Sequence, residues 1–189
     1  MNGNKLIKYL GYTSNHPELL MFLEEQEADI TRLPDLSLPD KNLDKKKQVT
    51  FKNRGFTLQF ERDYPEQAEK QRQSDPEGRL VVAAEDYRIK NPVGDGPLYL
   101  DHIVFFKPEA GTDPKKPLQL PFGLRFMDNR HRLQQQFGHK NPHGDPRKPY
   151  YEEDESDYYH HNYKLVTYFE RFDPEEKLLQ LLVSLKKQS

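Results

Sequence analysis

The sequence predicts an α+β fold, an antiparallel sheet with helices packed mainly on one side, and three observations carry that prediction. Apolar residues alternate at strand period through Val49–Phe60, around an Asn53-Arg54-Gly55 turn. Tyr99–Phe106 and Leu178–Leu185 are dense apolar runs of strand length. Two other stretches, starting near His16 and near Asn129, carry their apolar residues at helical spacing instead, so strands follow each of two helices.

Leu6, Ile7, Leu10 and Tyr12 open the chain as a short apolar segment ending at Gly11. Ser14 or Asn15 is the expected cap of the first helix, with Pro17 in its first turn and Leu19, Leu20, Phe22 and Leu23 as its apolar face. Glu24, Glu25 and Glu27 make its exit acidic, and Thr31–Lys47, with Pro34, Pro39 and three consecutive lysines, suits neither helix nor strand. Val49 and Phe51, then Phe56, Leu58 and Phe60, form a hairpin with Gly55 at a left-handed turn position. Arg62–Gly78 is so poor in apolar residues that a mobile excursion is expected, and Leu80–Ala84 has the pattern of a further short strand. Asn91–Pro97 must turn, and Tyr99–Phe106 is apolar on both faces except at His102, the pattern of a central strand covered on each side.

Beyond the proline-rich connection Pro108–Pro117, the short apolar run Leu120–Phe126 feeds a helix over about Asn129–Phe137. Met127, Leu133 and Phe137 set its period, Asp128 or Asn129 caps it, and Gly138 ends it with Pro142 close behind. His139–Pro149 reads as loop. Lys164–Phe172 and Leu178–Leu185 are the closing strands, with Leu179, Leu181, Val183 and Leu185 on one buried face. An exposed last strand would offer an edge to another subunit. The order of helix then strands occurs twice, in His16–Phe106 and Asn129–Leu185, which suggests a degenerate tandem repeat inside one domain spanning 1–189, with sub-halves 1–110 and 117–189.

Composition narrows the function classes. Hydrophobic residues make up 34% of the chain and charged residues 32%, so the core must be built from few, large side chains; eleven Phe and eleven Tyr supply the bulk. A net charge of -2 argues against a general nucleic-acid or membrane binder. The lack of cysteine excludes disulfides, thiol catalysis and thiolate metal ligation. The start, MNGNKLIKYLGY, has neither an apolar signal core nor a cleavage pattern, and no apolar run is long enough to cross a bilayer, so a cytoplasmic location is expected.

The stretch LPFGLRFMDNRHRLQQQFG, Leu120–Gly138, carries a resemblance. Phe122-Gly123-Leu124-Arg125-Phe126-Met127, followed by a capped helix and Phe137-Gly138, resembles a strand-to-helix element of small bacterial α+β modules. These modules include outer-membrane assembly lipoproteins, β-lactamase inhibitor proteins and, in the form LPFGL, immunity proteins that neutralise secreted bacterial toxins. The surroundings are most similar to the immunity group, since a strand (LDHIVFF) precedes the element and a strand pair follows it. The absence of a signal segment and of a lipidation cysteine sets the chain apart from the lipoproteins. Asp128 after Met127, and His139-Lys140-Asn141 between Gly138 and Pro142, depart from the pattern. The likeness covers about twenty residues well and specifies a fold piece more than a function.

Catalytic constellations are weak. Five of the seven histidines fall between His131 and His161, and a metal site could be drawn from His139, His143, His160, His161 and Asp157. Yet no pair has helical ligand spacing backed by a glutamate, and His160 and His161 would point to opposite faces of a strand. No serine sits in a Gly-flanked elbow, and Gly94-x-Gly96 leads into Pro97 and a strand rather than a phosphate-binding helix. The sequence therefore suggests no catalytic residues, no cofactor and no metal.

What stands out is Tyr150–Tyr163, YYEEDESDYYHHNY, with five tyrosines, five acids and no Lys or Arg. Tyr150, Tyr151, Glu152, Glu153, Asp154, Glu155, Asp157, Tyr158 and Tyr159 are the candidate partner-binding residues. Tyrosine brings rigid apolar area with a polar tip, and clustered carboxylates steer a basic partner. The competing reading is an acidic solvated loop whose tyrosines turn inward to complete the core. The function expected is an immunity protein of the interbacterial effector or polymorphic toxin type, covering a cognate toxin or effector domain, such as a nuclease with a basic cleft, and binding no nucleic acid or membrane. A non-enzymatic adaptor of the same fold is the alternative, and a His/carboxylate hydrolase a more distant one.

Overall fold

The structure, a computed structural model, describes residues 1–36, 47–74, 88–108, 117–138, 155–170 and 177–186, and for 66–68, 71–72 and 155–157 the backbone alone. Six strands form one sheet: β1 (Gln48–Phe51), β2 (Phe56–Glu61), β3 (Tyr99–Phe106), β4 (Glu155–His160), β5 (Tyr163–Phe169) and β6 (Leu178–Leu185). Their spatial order is β1-β2-β3-β6-β5-β4, and the sheet is antiparallel. The first strand of each trio, β1 or β4, is an edge, and the third, β3 or β6, is central. The α+β architecture expected from the sequence is the one observed.

Two compact units are built from interleaved stretches. One comprises Met1–Lys8, Thr50–Thr57 and His102–Lys186; the other is drawn from Tyr9–Val49 and Leu58–Asp101.

In the second unit, α2 (Pro17–Glu25) buries Leu19, Phe22 and Leu23. Its cap is His16 rather than Ser14 or Asn15: the Glu18 N–H donates to His16 Nδ1 at 3.3 Å. Pro17 fixes the first helical φ, so the residue immediately before it must be the cap. The Ser14 N–H is spent elsewhere, on the Leu98 carbonyl. The polar segment after β2 is not an irregular excursion throughout, because Pro65–Ser74 forms α3. Pro65 starts it, and Glu, Gln, Ala, Lys and Arg are strong helix formers, so local propensity suffices without an apolar face. Asp63 accepts from both the Ile89 N–H and Arg88 Nε.

In the first unit, α1 (Gly3–Leu6) is capped by Asn2, and α4 (Arg130–Phe137) by Asn129. The β1–β2 turn holds Gly55 at φ 73, with its N–H on the Phe51 carbonyl and its carbonyl accepting from the Phe106 N–H. Phe51 and Phe56 stack at 4.8 Å. Opposite these rings the hairpin is polar, with Thr50 and Thr57 joined hydroxyl to hydroxyl.

Two strand expectations need correction. The last strand is interior, between β3 and β5, so the edges are β1 and β4. Leu179 is not buried with Leu181 and Val183 but is 44% exposed. A bulge explains it: Tyr168 pairs with Gln180 whereas Phe169 pairs with Leu178, so Leu178 takes the inward place and Leu179 is the extra residue. Leu80–Ala84, His139–Pro149 and most of Pro108–Pro117 lie outside the described residues. Among the described residues, no helix is long and apolar enough to cross a membrane.

Candidate functional site: the β4 edge and the half-open sheet face

The Leu120–Gly138 element is a clamp. Leu120, Pro121 and Leu124 are buried, while Phe122 and Gly123 between them adopt positive φ of 60 and 74. A left-handed conformation is unfavourable for a bulky side chain by about 1–3 kcal/mol, and two side chains hold it here. The Phe122 N–H donates to Asn4 Oδ1 at 2.8 Å, and its carbonyl accepts from Gln136 Nε2 at 2.7 Å. Asp128 ties the turn by accepting from the Arg125 N–H, which frees Asn129 to cap α4 through the Arg132 N–H. Met127 is therefore ahead of the helix, not on its apolar face, and is 69% exposed. Leu133 is the fully buried anchor of α4.

This conformation aims Phe122 at β4. Its ring lies 5.0 Å from His160, 5.6 Å from Tyr163 and 6.2 Å from Phe137, and Phe137 in turn meets His160 at 5.3 Å and Tyr158 at 5.9 Å. Burial raises the Tyr163 phenol above its usual range. Burial, with the neighbouring His161 second, lowers the His160 pKa. The His160 and His161 rings touch, with centroids 4.2 Å apart, instead of pointing to opposite faces. The reason is the turn: β4 ends at His160, and His161 has φ 53.

The acidic tyrosine stretch is thus partly strand, pinned from below by the clamp. Tyr150, Tyr151, Glu152, Glu153 and Asp154 lie outside the described residues. Glu155 and Asp157 are placed by backbone alone, paired with Tyr168 and Val166 of β5. Tyr158 is a core residue, 1% exposed, so its ring completes the interior rather than anchoring a partner; strand alternation then turns Tyr159 outward, 37% exposed. Lys186 Nζ sits 5.5 Å from the centre of the Tyr159 ring.

Cross-strand register separates two faces of β4, β5, β6 and β3. On one, Tyr158, Leu165, Val183 and Ile103 form a continuous row, followed by Thr167, Leu181 and Phe105, and all seven are buried. On the other, the rows are Tyr159–Lys164–Ser184–His102, then Asp157–Val166–Leu182–Val104 and Glu155–Tyr168–Gln180–Phe106. Among the side chains described in these rows, all except Val166 are at least partly exposed. This face corrects the expectation that β3 is covered on both sides, since Val104 and Phe106 are only half-buried.

A half-solvated antiparallel sheet normally turns polar residues outward. Here the middle of the face is Val104, Phe106, Val166, Tyr168 and Leu182. Sequence reasoning centred on the acidic stretch missed these residues, although the signal was present: β3 and β6 are apolar at both parities. Among the described residues, no three His, Asp or Glu side chains are grouped to hold a metal ion. Comparison with known proteins finds no matching family model, no matching curated sequence and no matching solved structure.

Proposed function

We propose that this chain is a binding protein of the immunity type, which sits on a cognate secreted bacterial toxin domain and blocks it. The observation that carries the binding reading is the apolar centre of the half-open face, bordered by the outward Tyr159. Side chains of this kind contribute about 25 cal/mol per Å² when a partner removes them from water, and aromatic anchors dominate interface energetics. The immunity assignment rests on the resemblance of Leu120–Gly138, with a strand before it and a strand pair after it. In this reading the carboxylates from Glu152 to Asp157 meet a basic cleft of the toxin, taking the place of substrate phosphates, and speed association.

The test is affinity purification of the tagged chain and of its Leu182→Asp variant from native cells at low salt, with mass spectrometry, followed by co-expression of whatever is recovered. The expected result is a toxin domain in stoichiometric amount with the wild type, depleted with the variant, whose lethality the wild type relieves. A toxin that still kills in the presence of the chain overturns the immunity assignment. Recovery of a housekeeping scaffold instead establishes the adaptor alternative.

A further inference from the structure

We infer that the Leu120–Gly138 clamp is an acid-released latch: placing a proton on His160 parts its ring from Phe122 and Phe137 while the sheet beneath stays formed. The latch is a property of the free chain and goes beyond the binding reading. Ring geometry makes it possible. His160 is the last residue of β4, and its half-buried imidazole meets Phe122 at 5.0 Å, Phe137 at 5.3 Å and His161 at 4.2 Å. The two phenyl rings give an imidazolium no oxygen acceptor, and the third neighbour becomes a second cation in the same pH range.

The charged groups on the surrounding elements are committed or turned elsewhere. On the clamp, Asp128 accepts from the Arg125 N–H. On α4, Arg130 lies over the Phe169 ring, His131 is held to Gln135 and Arg132 is exposed. On β5, burial raises the Tyr163 phenol, which stays neutral, and Lys164 pairs with Tyr159 in a row of the opposite face. Glu155 and Asp157 alternate out of phase with His160 along β4. Among the described residues, His161 alone joins burial in lowering the His160 pKa. Two features make release a discrete step. Phe122 keeps its φ of 60 only while its contacts outweigh the left-handed strain, so losing the His160 ring favours a relaxed backbone. The strand is anchored apart from the clamp, because β4 pairs with β5 along its length and the Lys186 N–H donates to the Asn162 carbonyl in the turn.

The test is an NMR titration of the full-length protein from about pH 8 to about pH 5, following the His160 ring, the ring-to-ring NOEs from Phe122 and Phe137 to His160, and exchange of the Phe122 amide, whose N–H donates to Asn4 Oδ1. The expected result is that the NOEs vanish with the midpoint of the His160 titration. The Phe122 amide, corrected for the intrinsic pH dependence of exchange, then exchanges about threefold faster or more, while amides of the β5–β6 ladder keep their protection. His160→Gln should abolish the pH response, and His161→Gln should keep it with the midpoint moved to higher pH. Far-UV circular dichroism at pH 8 verifies that the variants fold; if His160→Gln does not, the coincidence of the wild-type midpoints decides. NOEs that persist once His160 is protonated, a response that survives in folded His160→Gln, or loss of β5–β6 protection at the same midpoint each overturn the inference.

Discussion

Replacing Phe122 by Ala and by Gly should order the two variants against the usual rule. At an ordinary backbone conformation Gly is less stable than Ala by about 0.5–1 kcal/mol, because the unfolded glycine chain has more freedom to lose. At Phe122 φ is 60 and ψ 19, where Ala keeps its Cβ in the disfavoured left-handed region and Gly does not. Both variants lose the ring contacts to His160, Tyr163 and Phe137. A fully buried Phe→Ala change costs about 3–5 kcal/mol; the Phe122 ring is half-buried, so roughly 2 kcal/mol is expected from this term. Phe122 itself carries left-handed strain of about 1–3 kcal/mol, which the Ala variant keeps and the Gly variant sheds, more than offsetting the extra chain entropy of Gly. The expectation is therefore that Phe122→Ala is destabilised by roughly 2 kcal/mol and Phe122→Gly by roughly 1. Urea unfolding followed by tyrosine fluorescence suits a chain with eleven Tyr and no Trp, and comparing midpoints at constant slope isolates stability. An Ala variant more stable than the Gly variant would refute the view that Asn4 and Gln136 hold a strained phenylalanine in place.

Two further outcomes follow from the same region. His160 has a lowered pKa because it is partly buried beside His161, so the unfolded chain binds the proton more readily. Stability from this group is complete above the unfolded value near 6.5 and is lost as pH falls toward the folded value; a His160→Gln variant should show a flatter pH dependence of the urea midpoint over that window, and an unchanged slope would discount the cluster. At Gly55, an added Cβ would come within 2.5 Å of the Phe106 carbonyl at a φ of +73. Gly55→Ala should cost more than about 1 kcal/mol in thermal or urea unfolding, and a neutral result would show that the hairpin and the end of β3 can part without penalty.

The strands with strict alternation or high apolar density were legible in the sequence, and β3 keeps its expected bounds, Tyr99–Phe106. So was the α4 element, where Asn129 and Gly138 mark both ends. Three features were not, each for a physical reason. Strand β4 is acidic and aromatic, a composition that favours solvent until the backbone pairing with β5 and the rings of Phe122 and Phe137 supply its stability from outside. Helix α3 depends on propensity alone, which a search for apolar faces overlooks. Leu179 went to the wrong side because a single bulge reverses parity, and nothing local in Lys177–Gln180 announces it. At the candidate site, composition singled out Tyr158 and Tyr159 together, but only pairing could separate a core tyrosine from an exposed one.

The clamp and the half-open face are joined by one strand pair, and that gives the Leu120–Gly138 element a role beyond its own packing. Edge strands are the least supported members of a sheet, with ladder hydrogen bonds on one side only. The clamp compensates at β4 by pressing Phe122 and Phe137 against the side that carries Tyr158 and His160. Alternation then leaves Tyr159 no choice but the opposite side, next to Lys164 and within reach of Lys186. Under the proposed binding reading, holding the inner residues of β4 presets the outer ones before the partner arrives and would reduce the ordering entropy lost on association. Under that reading the Leu120–Gly138 element would serve recognition without touching the partner: it fixes the strand, and the residues that alternate with its contacts would face the partner.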